Sequence, residues 1–203
     1  MRKFGVEIEC YVTSIKLLEE LLQNNNVEYS YVHTKEKHVV YPHIKLIKDS
    51  SIKKMTNYES IEINTPPSVD FKYLQQVCDV LKQIDSLCCN NCALHIHIDL
   101  TDKQWDDGYQ IMSYYWDHEN DILQQIWDIQ HKKPILTQSL RFMRNKFSST
   151  HHLHLNLYEP FKVYKTIEHR AFMGTIDYDE IIQCILLTQD IVEKGLQYKK
   201  GRN

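Results

Sequence analysis

Glycine is scarce in this 203-residue chain, five residues in all, and none belongs to a Gly-x-x-x-x-Gly-Lys-Ser/Thr loop. A phosphate cradle of the P-loop type is therefore excluded. Gly-x-Ser-x-Gly and His-Glu-x-x-His are absent too. Their absence removes the nucleophile-elbow hydrolases and the commonest zinc-peptidase pattern. No apolar run reaches the roughly 18 residues needed to span a bilayer. The opening residues, Met1-Arg2-Lys3-Phe4-Gly5, are basic but lead to Glu7 and Glu9 rather than to an apolar signal core. A soluble, cytoplasmic protein is the expectation. An excess of one charge is also missing, with 24 Lys and Arg against 27 Asp and Glu and a net charge of -3. Without a basic field, neither nucleic acid nor a membrane surface is an expected partner. Low complexity and internal repeats are lacking, and the length suits one domain over residues 1–203.

Six cysteines are present: Cys10, Cys78, Cys88, Cys89, Cys92 and Cys184. Without a secretory signal, reduced thiols are expected rather than disulfides. Cys88-Cys89-Asn90-Asn91-Cys92, followed by His95 and His97, invites a zinc reading. The spacing fits no standard motif of two separated ligand pairs. The plainer reading makes these cysteines small apolar residues at a helix end and a strand start.

Four short stretches alternate apolar residues with charge. They are Val6-Glu7-Ile8-Glu9, Ile61-Glu62-Ile63-Asn64, Leu94-His95-Ile96-His97-Ile98-Asp99 and Ile167-Glu168-His169-Arg170. Each has the period of a half-buried strand. Around them the pattern predicts a first strand over 3–13 and a helix over 15–23 capped by Ser14. Strands follow over 27–34, 38–47 and 57–64, the last stopped by Thr65-Pro66-Pro67. Ser68 is placed as the cap of a helix over 69–87, and Thr101 as the cap of a helical region over 102–131 broken near Gly108 or Asn120. Residues 134–149 are the least legible. Strands over 151–158 and 163–171 precede a helix over 178–198. The sum is an α+β fold, a largely antiparallel sheet with helices on one face and an open charged face.

Glu7 and Glu9 lie on one strand face, where two carboxylates repel unless a cation lies between them. Magnesium favours such hard oxygen donors. The plainer alternative is two solvated glutamates on an edge strand. Glu62 reads as an oxygen ligand, an amine-binding carboxylate or an exposed strand residue. His95 and His97 share a face and are able to bind a metal, donate to phosphate or exchange protons. Equally, one of the pair belongs to the core and the other to the surface. His154 stands beside Asn156 in a second histidine cluster. Arg170 offers a donor fork that matches phosphate, with Glu168 on the same face; otherwise the two form a weak surface ion pair.

Taken in order, these stretches resemble the amidoligase family, carboxylate–amine ligases related to glutamine synthetase and glutamate–cysteine ligase. Phe4-Gly5-Val6-Glu7-Ile8-Glu9 is similar to the family's opening strand. Lys48-Asp49-Ser50-Ser51-Ile52 resembles its Asp-Gly-Ser segment, and Ile61 to Pro67 its Glu-(Leu/Ile)-x-Ser-Pro strand end. Cys92-Ala93-Leu94-His95-Ile96-His97 resembles its Cys-Gly-x-His-x-His strand. His154 to Leu157 and Thr166 to Arg170, then Gly174-Thr175, look like its closing strands. Ser50 and Ala93 stand where the family has glycine, Thr65 where it has serine, and His169 where it has an aromatic residue.

The resemblance implies a glutamine-synthetase-like catalytic domain using ATP and Mg2+. It implies magnesium ligands at Glu7, Glu9 and Glu168, with His95, His97 and Asn156 near the nucleotide. Arg170 would stabilise the transferring phosphoryl group. Glu62 or Asp49 would bind or deprotonate the amine, and Lys48 and Arg144 would hold phosphate or a substrate carboxylate. The substrates implied are a carboxylate and an amine, from small molecules, peptides or protein side chains; homo-oligomerisation is left open. Two other readings fit the same residues. One is a hydrolase with zinc or manganese held by His95, His97 and glutamates. The other is a binding module without activity on the same scaffold.

Overall fold

Strand and helix patterns resolve into eight strands and six helices among the described residues of a computed structural model, which describes residues 1–32, 39–48, 52–131 and 154–198. The chain is α+β, with a mixed, mostly antiparallel sheet. It divides into two compact units. The N-proximal unit holds residues 5–94 and 173–182, and the C-proximal unit holds 1–4, 95–172 and 183–203.

In the N-proximal unit the strands run in the order β2-β3-β4-β1, with β5 also on β1. They are β1 (Phe4–Val12), β2 (Tyr29–Val32), β3 (Ile44–Ile47), β4 (Glu59–Asn64) and β5 (Ser86–Leu87). β2 and β3 are parallel, whereas β3–β4 and β4–β1 are antiparallel. Val6, Ile8 and Cys10 are buried and alternate with half-buried Glu7 and Glu9, as the period-2 reading requires.

Helix α1 (Ile15–Asn24) begins where Ser14 Oγ accepts the Leu17 N–H and Glu59 Oε2 accepts the Ile15 N–H at 2.8 Å. Those two acceptors satisfy donors that the first turn leaves open. Leu18 and Leu22 are buried, each stabilising by roughly 1.5–3 kcal/mol. Helix α2 (Lys72–Leu81) is shorter than expected at both ends. Ser68 accepts from the Asp70 N–H and Asp70 from the Lys72 N–H, so residues 68–71 form tight turns ahead of the helix. At the other end Ser86 Oγ donates to the Leu81 carbonyl at 2.6 Å. Ser86 and Leu87 then pair with Val12 and Tyr11 as a strand.

In the C-proximal unit the strand order is β6-β8-β7, for β6 (Ala93–Asp99), β7 (Leu155–Asn156) and β8 (Thr166–Met173). The long helical region is two helices, α3 (Trp105–Asp117) and α4 (Glu119–Gln130). The break falls at His118, whose ring stacks on Tyr114 and whose Nδ1 lies 2.9 Å from the Tyr114 carbonyl. Thr101 does not cap α3. It bonds back to Asp99, and Gln104 with Asp107 forms the capping box instead.

The expected strands over 151–158 and 163–171 need correction. Among the described residues of the first, only Leu155 and Asn156 pair, and α5 (Tyr158–Tyr164) stands between them and β8. Pro160 lies in the first turn of α5, where a missing N–H costs little, and Lys165 closes it in the left-handed region at φ 57°. Helix α6 (Tyr178–Gln197) ends the fold. The region 134–149 lies outside the described residues. No helix among the described residues is long and apolar enough to cross a membrane.

Candidate functional site

Strand register decides which charged side chains are neighbours in the N-proximal unit. Glu7 lies opposite Asn64, and Asn64 lies opposite Lys45, so these three form one row across β1, β4 and β3. Glu9 lies opposite Glu62, and Glu62 opposite Ile47, in the next row on the same face. The Asn64 amide reaches Glu7 Oε1 at 3.5 Å. Its carbonyl oxygen is buried without a hydrogen-bond partner. An unmatched amide oxygen beside a carboxylate is a hard-donor set, and it fits magnesium better than a softer metal. Glu9 is tied down at its other oxygen, where Oε2 accepts the Ala93 N–H at 2.9 Å. Thr65 Oγ1 accepts the Val6 N–H at 3.0 Å and fixes the start of β1.

Sequence periodicity found the carboxylates in these rows but not Asn64 or Lys45. Lys45 is buried and directs its ammonium to the Val39 carbonyl at 3.4 Å. Its neighbours Ile44, Leu46 and Ile47 are fully buried as well, so no alternation marked it out. Lys48 is exposed, one residue beyond β3. Asp49 and Arg144 lie outside the described residues.

In the C-proximal unit the charged side chains gather around Glu168, which is only 4% exposed. Arg170 Nη1 donates to Glu168 Oε1 at 2.5 Å, and Asn156 Nδ2 donates to Oε2 at 2.9 Å. The Asn156 contact follows from register, since Asn156 faces Glu168 across β7 and β8. His95 Nδ1 and His97 Nε2 stand 3.6 and 3.8 Å from Glu168 Oε1, ionic range rather than hydrogen-bond length. Thr166 Oγ1 lies 3.1 Å from His97 Nδ1 and orients that ring. The Arg170 Nε is buried without a hydrogen-bond acceptor. A buried guanidinium donor left unmatched is costly and favours an anion.

Two predicted features lie elsewhere. Asp99 is spent on the turn at Thr101. His154 belongs to the core, where its Nδ1 pairs with buried Glu119 at 3.2 Å and its carbonyl accepts the Arg170 N–H. Nothing in the sequence marks Glu119 as buried, because it opens a helix where an exposed acid is ordinary.

His169, on the opposite face of β8 from Glu168, is fully buried. Thr188 spends its one hydroxyl proton on the Cys184 carbonyl. His169 Nδ1 must then donate to Thr188 Oγ1, and its Nε2 accepts from the Tyr115 hydroxyl at 3.3 Å. Burial, with His154 as a lesser cause, pushes the His169 pKa down to about 3. The ring sits edge-on to Tyr115 and 4.4 Å from Phe172, so it fills an aromatic's place.

The fold is of the α+β class, with carboxylates, imidazoles and a guanidinium on strand faces and no glycine-rich loop. Within that class, residues 1–135 match the family described as putative amidoligase enzyme, and the chain belongs to that family. No curated protein matches it. The matched residues include β1, β4 and β6 but stop before Asn156, Glu168 and Arg170.

Proposed function

We propose that this chain is an ATP- and Mg2+-dependent carboxylate–amine ligase that forms an amide or isopeptide bond through an acyl phosphate. Family membership supports ligase chemistry at a coarse level. The observation that carries the finer reading is Arg170, which spends Nη1 on Glu168 and keeps a buried, unmatched Nε. A guanidinium so placed suits a phosphoryl group in transfer.

In this reading a substrate carboxylate oxygen attacks the γ-phosphorus of ATP and ADP leaves. Arg170 donates to the transferring group and Glu168, locked by Asn156, fixes the guanidinium. An amine then attacks the acyl carbon, and phosphate departs. Glu62 binds the amine or takes its proton, with Asp49 the second candidate for that role. Glu7, Glu9 and Glu168 are the residues that would hold magnesium, which when bound would neutralise charge on the phosphates. His95 and His97 contact nucleotide or metal, and Lys48 and Arg144 hold phosphate or the substrate carboxylate.

The test is a screen of carboxylate and amine pairs for ADP release. Amine-dependent ADP is expected from the wild type. Arg170→Ala should lower the rate by about 10²–10³-fold, the usual cost of one transition-state donor, with the fold intact by circular dichroism. Full activity in Arg170→Ala and Glu168→Gln would overturn the roles. Hydrolysis needing zinc or manganese and no ATP would replace the ligase reading.

A further inference from the structure

Away from that chemistry, the N-proximal unit holds a serine, a histidine and a glutamate in series. Ser30 is half-buried on β2, and its Oγ lies 2.7 Å from Nε2 of His43, just ahead of β3. On the other side of the same ring, Nδ1 is buried and stands 3.2 Å from Glu28 Oε1. That contact is an ion-pair distance without hydrogen-bond alignment. A carboxylate this near repels a lone pair on Nδ1 and attracts an N–H, so the proton of the neutral ring belongs there. Nε2 is then the bare acceptor, and the Ser30 O–H donates to it. Tyr41 packs against the ring at 5.4 Å between centroids and limits its rotation. Nucleophile, base and orienting acid are thus linked in the order that activates a hydroxyl.

Register sets this group apart from the carboxylate rows. Ser30 lies opposite Lys45, so it is the fourth member of the row Glu7, Asn64, Lys45. Three strand spacings put it about 14 Å from Glu7, too far to share a cation or a reacting carboxylate there. Among the described residues β2 is the outermost strand at its end of the sheet. The Ile44 N–H donates to the Glu28 carbonyl, which turns the backbone groups of Glu28 and Ser30 toward β3. Those of Tyr31 then face the outer edge, so its N–H is the backbone donor next after Ser30 on that side.

We propose that Ser30, His43 and Glu28 are a second reactive centre, a serine nucleophile that hydrolyses carboxylic esters with good leaving groups. Ser30 Oγ attacks the carbonyl carbon while its proton passes to His43 Nε2, and the Tyr31 N–H donates to the oxyanion. The bond to the alcohol oxygen breaks, and the alcohol leaves with that proton. Water then attacks the acyl-serine and gives a proton to Nε2; the acid departs as that proton returns to Ser30 Oγ. One ester and one water give one acid and one alcohol. Glu28 is exposed, so water screens its charge and the base is only modestly strengthened. That is why the leaving group has to be good. The reaction uses no ATP and stands independently of the ligase reading.

The test treats the full-length folded protein, without ATP, with a fluorophosphonate probe and separately with p-nitrophenyl acetate. The probe forms an Oγ–P bond and releases fluoride. Trypsin then yields the peptide 17–35, in which Ser30 is the one serine. Mass spectrometry should find the adduct on Ser30, and the ester should be hydrolysed faster than in buffer. Ser30→Ala and His43→Gln, each folded by circular dichroism, should lower that hydrolysis by about 10²-fold, the contribution of a general base. Glu28→Gln, an exposed change that spares the fold, should slow labelling by a smaller factor. No adduct on the folded wild type, or an adduct on Tyr29 or Tyr31 in place of Ser30, overturns the proposal. So does a labelling rate unchanged in both His43→Gln and Glu28→Gln.

Discussion

His169 is neutral because its surroundings leave no place for a second proton: Nδ1 gives its hydrogen to Thr188 and Nε2 receives that of Tyr115. Its pKa of about 3 lies below the ordinary 6.5. Between those values the unfolded chain binds a proton that the fold refuses. Stability is therefore full above pH 6.5 and is lost as the pH falls toward 3. At about 1.4 kcal/mol per pH unit, the move from pH 7 to pH 5 costs about 2 kcal/mol through this residue. Urea unfolding at both pH values should show His169→Phe losing that part of the slope. At pH 7 the variant should be the less stable, by about 1–3 kcal/mol, because the Tyr115 hydroxyl is left buried and unmatched. An unchanged slope would refute the assignment. Asn64 carries a second residue-scale expectation. If its buried oxygen serves the cation beside Glu7, Asn64→Ala should raise the magnesium needed for half-maximal ligation by about tenfold. Neither role was readable from residue type. His169 looked like a departure within a charged strand, and Asn64 like the polar end of one; only the side each faces separates core from site.

At the scale of elements, alternation and helical spacing were legible wherever one face is buried. That covers β1, β4, β6, α1 and α6. They failed where local hydrogen bonds outbid the pattern. Residues 151–158 and 163–171 read as two strands, but a tolerated Pro160 and a left-handed close at Lys165 set a helix, Tyr158–Tyr164, between Leu155–Asn156 and β8. Ser86 and Leu87 continue the helical spacing of α2, yet Ser86 stops the helix by taking the Leu81 carbonyl. Helix α6 also inverts an ordinary propensity rule. Replacing an interior glycine with alanine usually stabilises a helix by about 1 kcal/mol. At Gly195 an added Cβ would lie 2.6 Å from Ile111 Cα, a backbone atom of α3. Gly195→Ala should therefore destabilise the protein, by about 1–3 kcal/mol in chemical denaturation. A stabilised variant would show that α3 and α6 separate more easily than their contact implies.

For the whole molecule, the sequence carried the acids and bases of the candidate site but not their adjacency. Glu7, Asn64 and Lys45 become neighbours only through a register set by turns and by which faces are buried. Glu168 and Arg170 needed no register to be paired, since they lie two apart on one strand. Asn156, by contrast, completes that pair across β7 and β8. With nearly balanced charge and no P-loop, binding of a polyphosphate by this chain has to come from local cations and a metal rather than from a global field. The central event of the proposed reaction is transfer of phosphate onto a carboxylate. It is read most directly with a carboxylate substrate carrying heavy oxygen, in the amine-dependent reaction that releases ADP. The label should appear in the released inorganic phosphate in a one-to-one ratio with amide formed. Amide formed with phosphate free of label, or phosphate released without need of any carboxylate, would contradict it.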